Sequence, residues 1–394
     1  MTRAKRAQVT VTPAGAKGLR RGNPWCYRTE VASWPDGLAP GEIVDVVDGQ
    51  RNPVGQAFAA SKSPLALRLL TRKSSQEESI DAAFFAERFA RALARRSSLH
   101  HRDGYRLVHA EADLLPGLFV DRYGDALTLQ TLSEGADVRK AEWAPVLAKL
   151  TGARLVVCRD DASGRDFESL PREKRILLGE EPTIVGYHEG PTRFEIDLVH
   201  DMKTGSFLDQ VDNHLRAGEL ARGEALDTFS YHGGFALSLA RSCKKVTAVE
   251  QDATAAEKIR ANAKANGHGH VEVLTANAFD VLRGYADEGR RFDAVVIDPP
   301  GLAKRKEGLK AARRAYHELN LRALKLVKPE GLLVTCSCSG KVSRALFEEI
   351  VLDAAADAKR QVQILERRGA GIDHPALGAL PETEYLKAWF LRVL

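Results

Sequence analysis

Residues 225–235 read ALDTFSYHGGF, a stretch that decides the fold because it runs from an apolar strand through a glycine turn into a helix. From about residue 200 onward, strands and helices alternate strictly, which is typical of a parallel sheet with crossover helices. The last strand follows a proline-rich turn and is expected to insert antiparallel into the sheet. We expect strands at residues 225–229, 246–250, 271–275, 292–297, 331–335, 361–365 and 385–393.

The length and composition indicate a soluble protein with more than one domain. A chain of 394 residues is long for a single core, and a hydrophobic content of 44% supports burial. No apolar run is long enough to span a bilayer, and the N-terminus lacks the apolar core of a signal peptide. We therefore expect a cytoplasmic protein that does not enter membranes.

The N-terminal half follows a different pattern from the C-terminal half. Residues 1–72 read as short strands broken by proline and glycine, which predicts a small β-barrel. Residues 73–195 combine helical spacing at 81–98 and 137–150 with a hairpin at 105–132, which predicts a middle α+β domain. The alternating region then forms a third domain, residues 196–394.

Cysteine and basic residues are unevenly placed. The five cysteines, an odd number at scattered positions, form neither a disulfide framework nor a zinc pattern, so we expect free thiols and no metal. Residues 1–28 carry seven Lys or Arg and no acid. A second basic run, Lys304-Arg305-Lys306, is either a solvated surface or a phosphate contact.

The glycine turn is followed by features that suit an adenine nucleoside. Nineteen residues after the turn starts, Glu250 ends the next strand, where it can accept hydrogen bonds from ribose hydroxyls. The three-glycine fingerprint of dinucleotide folds is absent, and Asp227 would repel a pyrophosphate. A carboxylate there suits a cationic ligand such as S-adenosylmethionine, and Asn277 follows the third strand at the same edge.

A carboxylate and a thiol are predicted at the ends of two further strands. Asp298 precedes two prolines that end one strand, while Cys336 and Cys338 follow the next. Because ligands bind at the carboxyl edge of open α/β sheets, these groups would meet one ligand. A thiol and a carboxylate placed in this way suit attack on a nucleobase ring.

The chain resembles the bacterial large-subunit (23S) ribosomal RNA cytosine-5 methyltransferases over nearly its whole length. That family implies a class I Rossmann-like methyltransferase domain with a seven-stranded mixed sheet, preceded by a PUA β-barrel and a middle α+β domain. The motifs that carry the resemblance are RRGNPW at 20–25, LPGLFVDRYGD at 115–125, KTGSFLDQ at 203–210, FSY at 229–231, DPP at 298–300 and SCS at 337–339.

The resemblance implies a role for individual residues. Cys338 would be the nucleophile, whose thiolate adds to carbon 6 of a cytosine and makes carbon 5 nucleophilic. Asp298 could act as its catalytic partner through a hydrogen bond to ring nitrogen N3. Cys336 reads as a core residue. Asn277 stands where the family commonly has Asp, although its oxygen can still accept a hydrogen bond. His232 stands where the family commonly has Thr; it could act as a base, but a turn histidine is more often a surface or packing residue. The S-adenosylmethionine pocket would be lined by Phe207, Gln210, Asp227, Ser230, Tyr231, Gly233, Glu250, Asn277 and Asp298.

The expected partner is large-subunit ribosomal RNA, naked or partly assembled. Arg20, Arg21 and Trp25 of the PUA-like barrel would contact it, together with the Lys304-Arg305-Lys306 run. Trp25 could equally be a core residue, and the chain could act as a monomer or a homodimer. Two other functions stay open: a guanine or adenine methyltransferase acting on RNA, and a non-catalytic RNA-binding ribosome assembly factor.

Overall fold

The computed structural model describes residues 6–201, 204–303 and 306–394. Lys203, Lys304 and Arg305 lie outside these ranges, and the side chain of Lys306 is not described either. The chain divides into two compact units. Unit 1 comprises Met1–Tyr187, Ile196–Ser206 and Asp373–Thr383, and unit 2 comprises His188–Glu195, Phe207–Ile372 and Glu384–Leu394.

Unit 1 begins with a six-stranded sheet whose order is β2-β6-β5-β4-β1-β3. One helix, α1, was not expected from the sequence: Pro13 occupies its first turn, and the Thr12 side chain accepts a hydrogen bond from the Gly15 N–H. The elements are β1 (Gln8–Val11), α1 (Pro13–Arg20), β2 (Trp25–Tyr27), β3 (Val31–Ser33), β4 (Ile43–Val47), β5 (Pro53–Ala59) and β6 (Leu65–Thr71).

The second part of unit 1 is a five-stranded sheet of order β11-β10-β9-β8-β7 with helices packed on it. The β12-β13 hairpin follows in the sequence and has residues assigned to both units. Phe58 and Leu70 of the first sheet share a core with Phe85 and Trp143, so the six-stranded and five-stranded sheets pack within one unit. The elements are α2 (Ala82–Arg95), β7 (Gly104–His109), β8 (Leu118–Tyr123), β9 (Ala126–Thr131), α3 (Glu134–Asp137), α4 (Lys140–Thr151), β10 (Leu155–Asp160), β11 (Glu173–Leu178), β12 (Ile184–Glu189) and β13 (Thr192–Asp197).

One group of side chains in unit 1 has the composition of a metal site. Cys158, Asp160 and Glu173 hold their ligand atoms within 4.8 Å of one another. The ammonium of Lys140, however, lies 2.6 Å from Asp160 and 2.5 Å from Glu173. A lysine therefore occupies the position that a cation would take, and the cluster is a buried ion-pair network.

Unit 2 is a seven-stranded sheet covered by helices on both faces, in the order β16-β15-β14-β17-β18-β20-β19. The final strand β20 lies antiparallel between β18 and β19, so the prediction of an α/β mixed sheet with an inserted last strand is confirmed. The elements are α5 (Val211–Leu220), β14 (Gly223–Thr228), α6 (Gly234–Ala240), β15 (Cys243–Glu250), α7 (Ala253–Ala265), β16 (Val271–Thr275), α8 (Ala278–Asp287), β17 (Phe292–Ile297), α9 (Leu309–Leu326), β18 (Val327–Ser337), α10 (Arg344–Asp357), β19 (Val362–Arg368) and β20 (Lys387–Val393).

The strand order reverses between β14 and β17, which lie side by side at the centre of the sheet. β14 and β17 run parallel with Thr228 opposite Ile297, and Ile297 in turn lies opposite Thr335 of β18. The carboxyl ends of β14 and β17 therefore stop at one level, and β18 continues two residues further, to Ser337. In open α/β sheets, ligands bind beyond this edge at the point of reversal.

No helix within the described ranges combines the length and apolarity needed to cross a bilayer.

Candidate active site

The turn after β14 holds unusual backbone conformations. Phe229 and Tyr231 have φ angles of 63° and 50°, which bulky residues rarely adopt, and Gly233 has a φ of 90° where α6 begins. Such conformations cost free energy and cluster at ligand-binding turns. The Ser230 hydroxyl donates to the carbonyl of Asp227 at 3.1 Å, which fixes the turn over the end of β14.

Asp227 is buried beneath this turn, with 1% of its surface exposed. Neither carboxylate oxygen accepts a hydrogen bond of good geometry from the described residues. Burial raises the pKa of Asp227 to about 7, and nearby Asp298 adds to the effect while Ser230 and His214 oppose it. A buried carboxylate that lacks a full set of partners suits a cationic group on a ligand.

Glu250 and Asn277 end the neighbouring strands in fixed orientations. The Glu250 carboxylate accepts hydrogen bonds from the N–H groups of Tyr231 and Asp252, both at 2.9 Å. Asn277 caps α8, because its side-chain oxygen accepts from the Phe279 N–H at 2.9 Å. Backbone amides therefore position both residues at the edge where a nucleoside would lie.

Asp298 is held by a pair of buried amides at the end of β17. Gln210 donates to a carboxylate oxygen of Asp298 at 3.0 Å, and Asn213 donates to the Gln210 oxygen at 2.7 Å. This chain of hydrogen bonds fixes the carboxylate and leaves Gln210 with little freedom to rotate. It links the segment before α5 to the Asp298-Pro299-Pro300 turn.

Cys338 lies against the same turn. Its Sγ is 3.9 Å from the carbonyl oxygen of Pro299, and a Cβ built on Gly301 would lie 3.7 Å from the sulfur. Cys338 is half-buried, whereas the other four cysteines are buried. Cys336 belongs to the core under α5 and α6, where burial, followed by the charge of Asp298, raises its pKa well above the ordinary value.

Aromatic side chains form one wall beside the glycine turn. The ring centroids of Phe207 and Tyr231 are 4.9 Å apart at 80°, and the Tyr231 ring stacks on His232 at 3.7 Å. The structure thus brings Phe207 beside the turn that carries Ser230 and Gly233. His232 is buried in this stack, which is the packing position expected from the sequence.

Two further residues of the site were not identified from the sequence. Buried His214 of α5 forms an ion pair of 2.6 Å with Glu189. Burial opposes its positive charge, but Glu189, with Asp298 and Asp227 beyond it, raises the pKa of His214 above the ordinary value. The other residue is Lys387, which is buried at the start of β20. The signal in the sequence that could have indicated it is a lysine at the beginning of an apolar strand.

The residues predicted to contact RNA lie in unit 1 or outside the described residues. Arg20 and Arg21 line a surface cavity of about 460 Å³ together with Lys17 and Asp48. The indole N–H of Trp25 donates to Glu111 at 2.9 Å, which is typical of a packing residue, so its RNA contact stays a prediction. Lys304 and Arg305 are not described, and Lys306 begins a short 3-10 turn, Lys306–Gly308.

Family models match two parts of the chain, and solved structures share its fold over nearly the whole length. Residues 9–72 match the family model of a PUA-like domain, and residues 207–345 match a model described as conserved hypothetical protein 95. Two solved structures, each 18% identical, share the fold over 98% of this chain and 100% of their own. One, assigned as a methyltransferase complexed with SAH, has a TM-score of 0.84, and a SAM-dependent methyltransferase from Streptococcus mutans has 0.82.

Curated relatives are much more similar in sequence. Ribosomal RNA large subunit methyltransferase I of Shewanella amazonensis is 38% identical over 98% of this chain and 99% of its own length. The protein of the same name from Escherichia coli O139:H28 is 35% identical over 96% of this chain and 97% of its own. At this identity and coverage, the chain belongs to the ribosomal RNA large subunit methyltransferase I family.

Proposed function

We propose that the protein transfers a methyl group from S-adenosylmethionine to carbon 5 of a cytosine in large-subunit ribosomal RNA. Its relatives are named for methylation of large-subunit ribosomal RNA, which supports the substrate class. The observation that carries the proposal is the contact of the half-buried Cys338 thiol with the Asp298-Pro299-Pro300 turn, at 3.9 Å from the Pro299 carbonyl.

The residues at the strand ends suit S-adenosylmethionine in charge and in hydrogen bonding. Asp227, buried without full hydrogen-bond partners, would face the cationic part of the ligand. Glu250 would accept from the ribose hydroxyls, and Asn277 would contact the adenine. Phe207 and Tyr231 would border the ligand, and Gly233 would allow close approach of the backbone. Bound S-adenosylmethionine supplies an electrophilic methyl group.

The chemistry needs a nucleophile because carbon 5 of cytosine is a weak one. The Cys338 thiolate adds to carbon 6 and forms a carbon–sulfur bond, and the electron pair of the carbon 5–carbon 6 double bond becomes available at carbon 5. A proton shared between Asp298 and ring nitrogen N3 stabilises the charge that builds up on the ring. Carbon 5 then forms a bond to the methyl carbon, the bond from that carbon to the sulfonium sulfur breaks, and S-adenosylhomocysteine is the leaving group. Loss of the carbon 5 proton to a base restores the double bond and expels the thiolate.

Gln210 and Asn213 have a supporting role in this proposal. Their hydrogen bonds, 3.0 Å to Asp298 and 2.7 Å between them, keep the carboxylate where an incoming base would meet it. Preorganised groups of this kind avoid reorganisation during the reaction. The target base would have to leave its stack to reach the thiol.

The decisive experiment is methylation of ribosomal RNA with labelled S-adenosylmethionine, followed by mass spectrometry of the nucleosides. We expect 5-methylcytosine with the native protein and none with Cys338→Ala, because no adduct can form. Cys336→Ala is the matched control and should retain most activity. A methylated guanine or adenine, or full activity of Cys338→Ala, would contradict the proposal.

A further inference from the structure

Lys387 is a buried charge that the mechanism above does not use. It begins β20, has 2% of its surface exposed, and donates three hydrogen bonds of 2.8 Å to the carbonyl oxygens of Ser339, Val342 and Tyr385. A protonated lysine has three donors, so three acceptors match the ammonium form. Two of these carbonyls belong to the loop that directly follows Cys338.

Both sequence neighbours of Cys338 are also anchored. The hydroxyl of Tyr316 lies 3.0 Å from Ser337 Oγ and 2.9 Å from Ser339 Oγ. The N–H of Ala303 donates to Ser339 Oγ at 3.2 Å. Because burial raises the pKa of Tyr316, its phenol stays neutral and contributes geometry without charge.

Among the described residues around the loop, Lys387 is a cation that interacts with the thiol. Cys338, Arg344 and Glu384 interact with Lys387 electrostatically. Arg344 is paired with Glu384 at 2.6 Å, so these two charges largely cancel. On the other side, Asp298 precedes the Pro299 carbonyl that contacts the sulfur, and a carboxylate there disfavours a thiolate.

We infer that Lys387 is a positioning residue that holds the 338–342 loop and stabilises the thiolate of Cys338 through its positive charge. The inference rests on the proposed function, since a thiolate is what addition to carbon 6 requires. Burial lowers the pKa of Lys387 to about 8. Its charge is therefore mostly present at pH 7 and is lost as the pH rises through about 8.

The test measures the thiol without RNA. In the full chain, alkylation of Cys338 by iodoacetamide is followed by peptide mass spectrometry from pH 6 to 9.5, while the other four cysteines are buried. We expect a thiol pKa below the ordinary value of about 8.5. Lys387→Met should slow alkylation at pH 6.5, where Lys387 is charged and the thiol is mostly protonated, about tenfold, which corresponds to a rise of about one pKa unit. Lys387→Arg should restore most of the rate.

The control variant changes another lysine of the same loop. Lys341→Met removes an exposed charge from the same loop and should leave the profile unchanged, because water screens it. A native thiol pKa of about 8.5 or higher, or the same profile in Lys387→Met as in the native chain, would overturn the inference. If Lys387→Met does not fold, as judged by circular dichroism, the alkylation profiles of the native protein and of Lys387→Arg decide whether the inference holds.

Failure of the proposed function has a separate signature. Full methylation by Cys338→Ala would refute the covalent mechanism whatever the alkylation profile shows. A lowered thiol pKa that depends on Lys387 would still stand in that case. The two claims are therefore judged by different measurements on the same protein.

Discussion

At the scale of single residues, Asp227 shows how burial prepares a group for a ligand. The carboxylate lies under the glycine turn, its pKa is raised to about 7, and neither oxygen has a full hydrogen bond from the described residues. A cation that approaches it would restore the ionised form and lower the pKa. Binding and protonation should therefore be linked.

Asp227→Asn tests this linkage through the binding of S-adenosylmethionine. The affinity of the native protein should rise as the pH increases from 5.5 to 7.5, because the carboxylate loses its proton near pH 7. The variant should bind at least about tenfold more weakly at pH 7.5, as expected for the loss of a charged contact, and its affinity should be nearly independent of pH. Isothermal titration calorimetry measures both effects.

Asp227→Asn should weaken binding but increase the stability of the folded protein. The folded-state pKa lies near 7, above the ordinary 3.8, so the folded protein holds a proton that the unfolded chain has released between these values. The contribution of Asp227 to stability is therefore greatest below about pH 4 and falls as the pH rises to 7, by at most about 4 kcal/mol. Thermal unfolding should show that the stability of Asp227→Asn relative to the native protein increases from pH 5 to 8. Asp280→Asn, which alters an exposed acid in α8, should show no such gain.

At the scale of elements, the start of α6 depends on the absence of a side chain at Gly234. A Cβ at this position would overlap the imidazole of His214, which is itself held by Glu189 at 2.6 Å. Helix α6 can therefore approach α5 closely only with glycine there. The ring of Phe235 completes the contact, 4.5 Å from that of His214.

Gly234→Ala should destabilise the protein by about 1–3 kcal/mol, as overpacking of a tight contact does. In a His214→Ala background the same change should cost much less, because the overlapping ring is gone. Urea unfolding of the four proteins of this double-mutant cycle gives the coupling energy. Gly284→Ala in α8, where nothing lies within 4 Å, should be neutral or stabilising. An equal cost in both backgrounds would contradict the contact.

The sequence predicted the sheet of unit 2 better than it predicted the site. β16 and β17 begin and end at the predicted residues 271–275 and 292–297, because apolar β-branched runs bounded by turns carry a strong local signal. Helix α1 was missed because its proline and glycines resemble a turn. Its start depends on a cap by Thr12, which composition alone does not reveal.

Other features of the site depend on tertiary contacts. His214 acquires its role from Glu189, 25 residues away, and Lys387 from Ser339, 48 residues away. Nothing local in the sequence pairs these residues. By contrast, the acids at the ends of β14, β15 and β17 could be predicted, because strand ends and glycine turns are local patterns.

At the scale of the whole molecule, the chain returns to unit 1 late in the sequence. Asp373, between β19 and β20, accepts a hydrogen bond of 2.8 Å from the Arg106 N–H, and Arg96 donates to its carbonyl at 2.9 Å. These contacts join residues 267 and 277 positions apart. Unit 1 is therefore complete only after most of unit 2 has been synthesised.

Asp373→Ala should destabilise unit 1 by about 2–4 kcal/mol, because it leaves a buried N–H and nearby charges unpaired. Burial opposes ionisation, but His374 and Arg106 lower the pKa of Asp373, so its stabilisation is present at neutral pH and lost in acid. Hydrogen exchange should locate the loss in β7 and β8. Glu382→Ala, an exposed change in the same segment, is the control. Equal protection of β7 in both variants would contradict the role of Asp373.

Binding of ribosomal RNA by the whole protein should depend on the cavity beside α1. Arg20 is already paired with Asp48 at 2.8 Å, whereas Lys17 and Arg21 line the same cavity and are exposed. Each phosphate contact that is lost should weaken binding and reduce the slope of log affinity against log salt by about 1. We therefore expect Lys17→Ala and Arg21→Ala to reduce the slope and Arg20→Ala to reduce it less, while Asp48→Asn should strengthen binding. Filter binding at several salt concentrations measures these slopes. Arg91→Ala, an exposed change in α2, is the control. If Arg91→Ala weakens RNA binding as much as Arg21→Ala does, the RNA contact is not localised at this cavity.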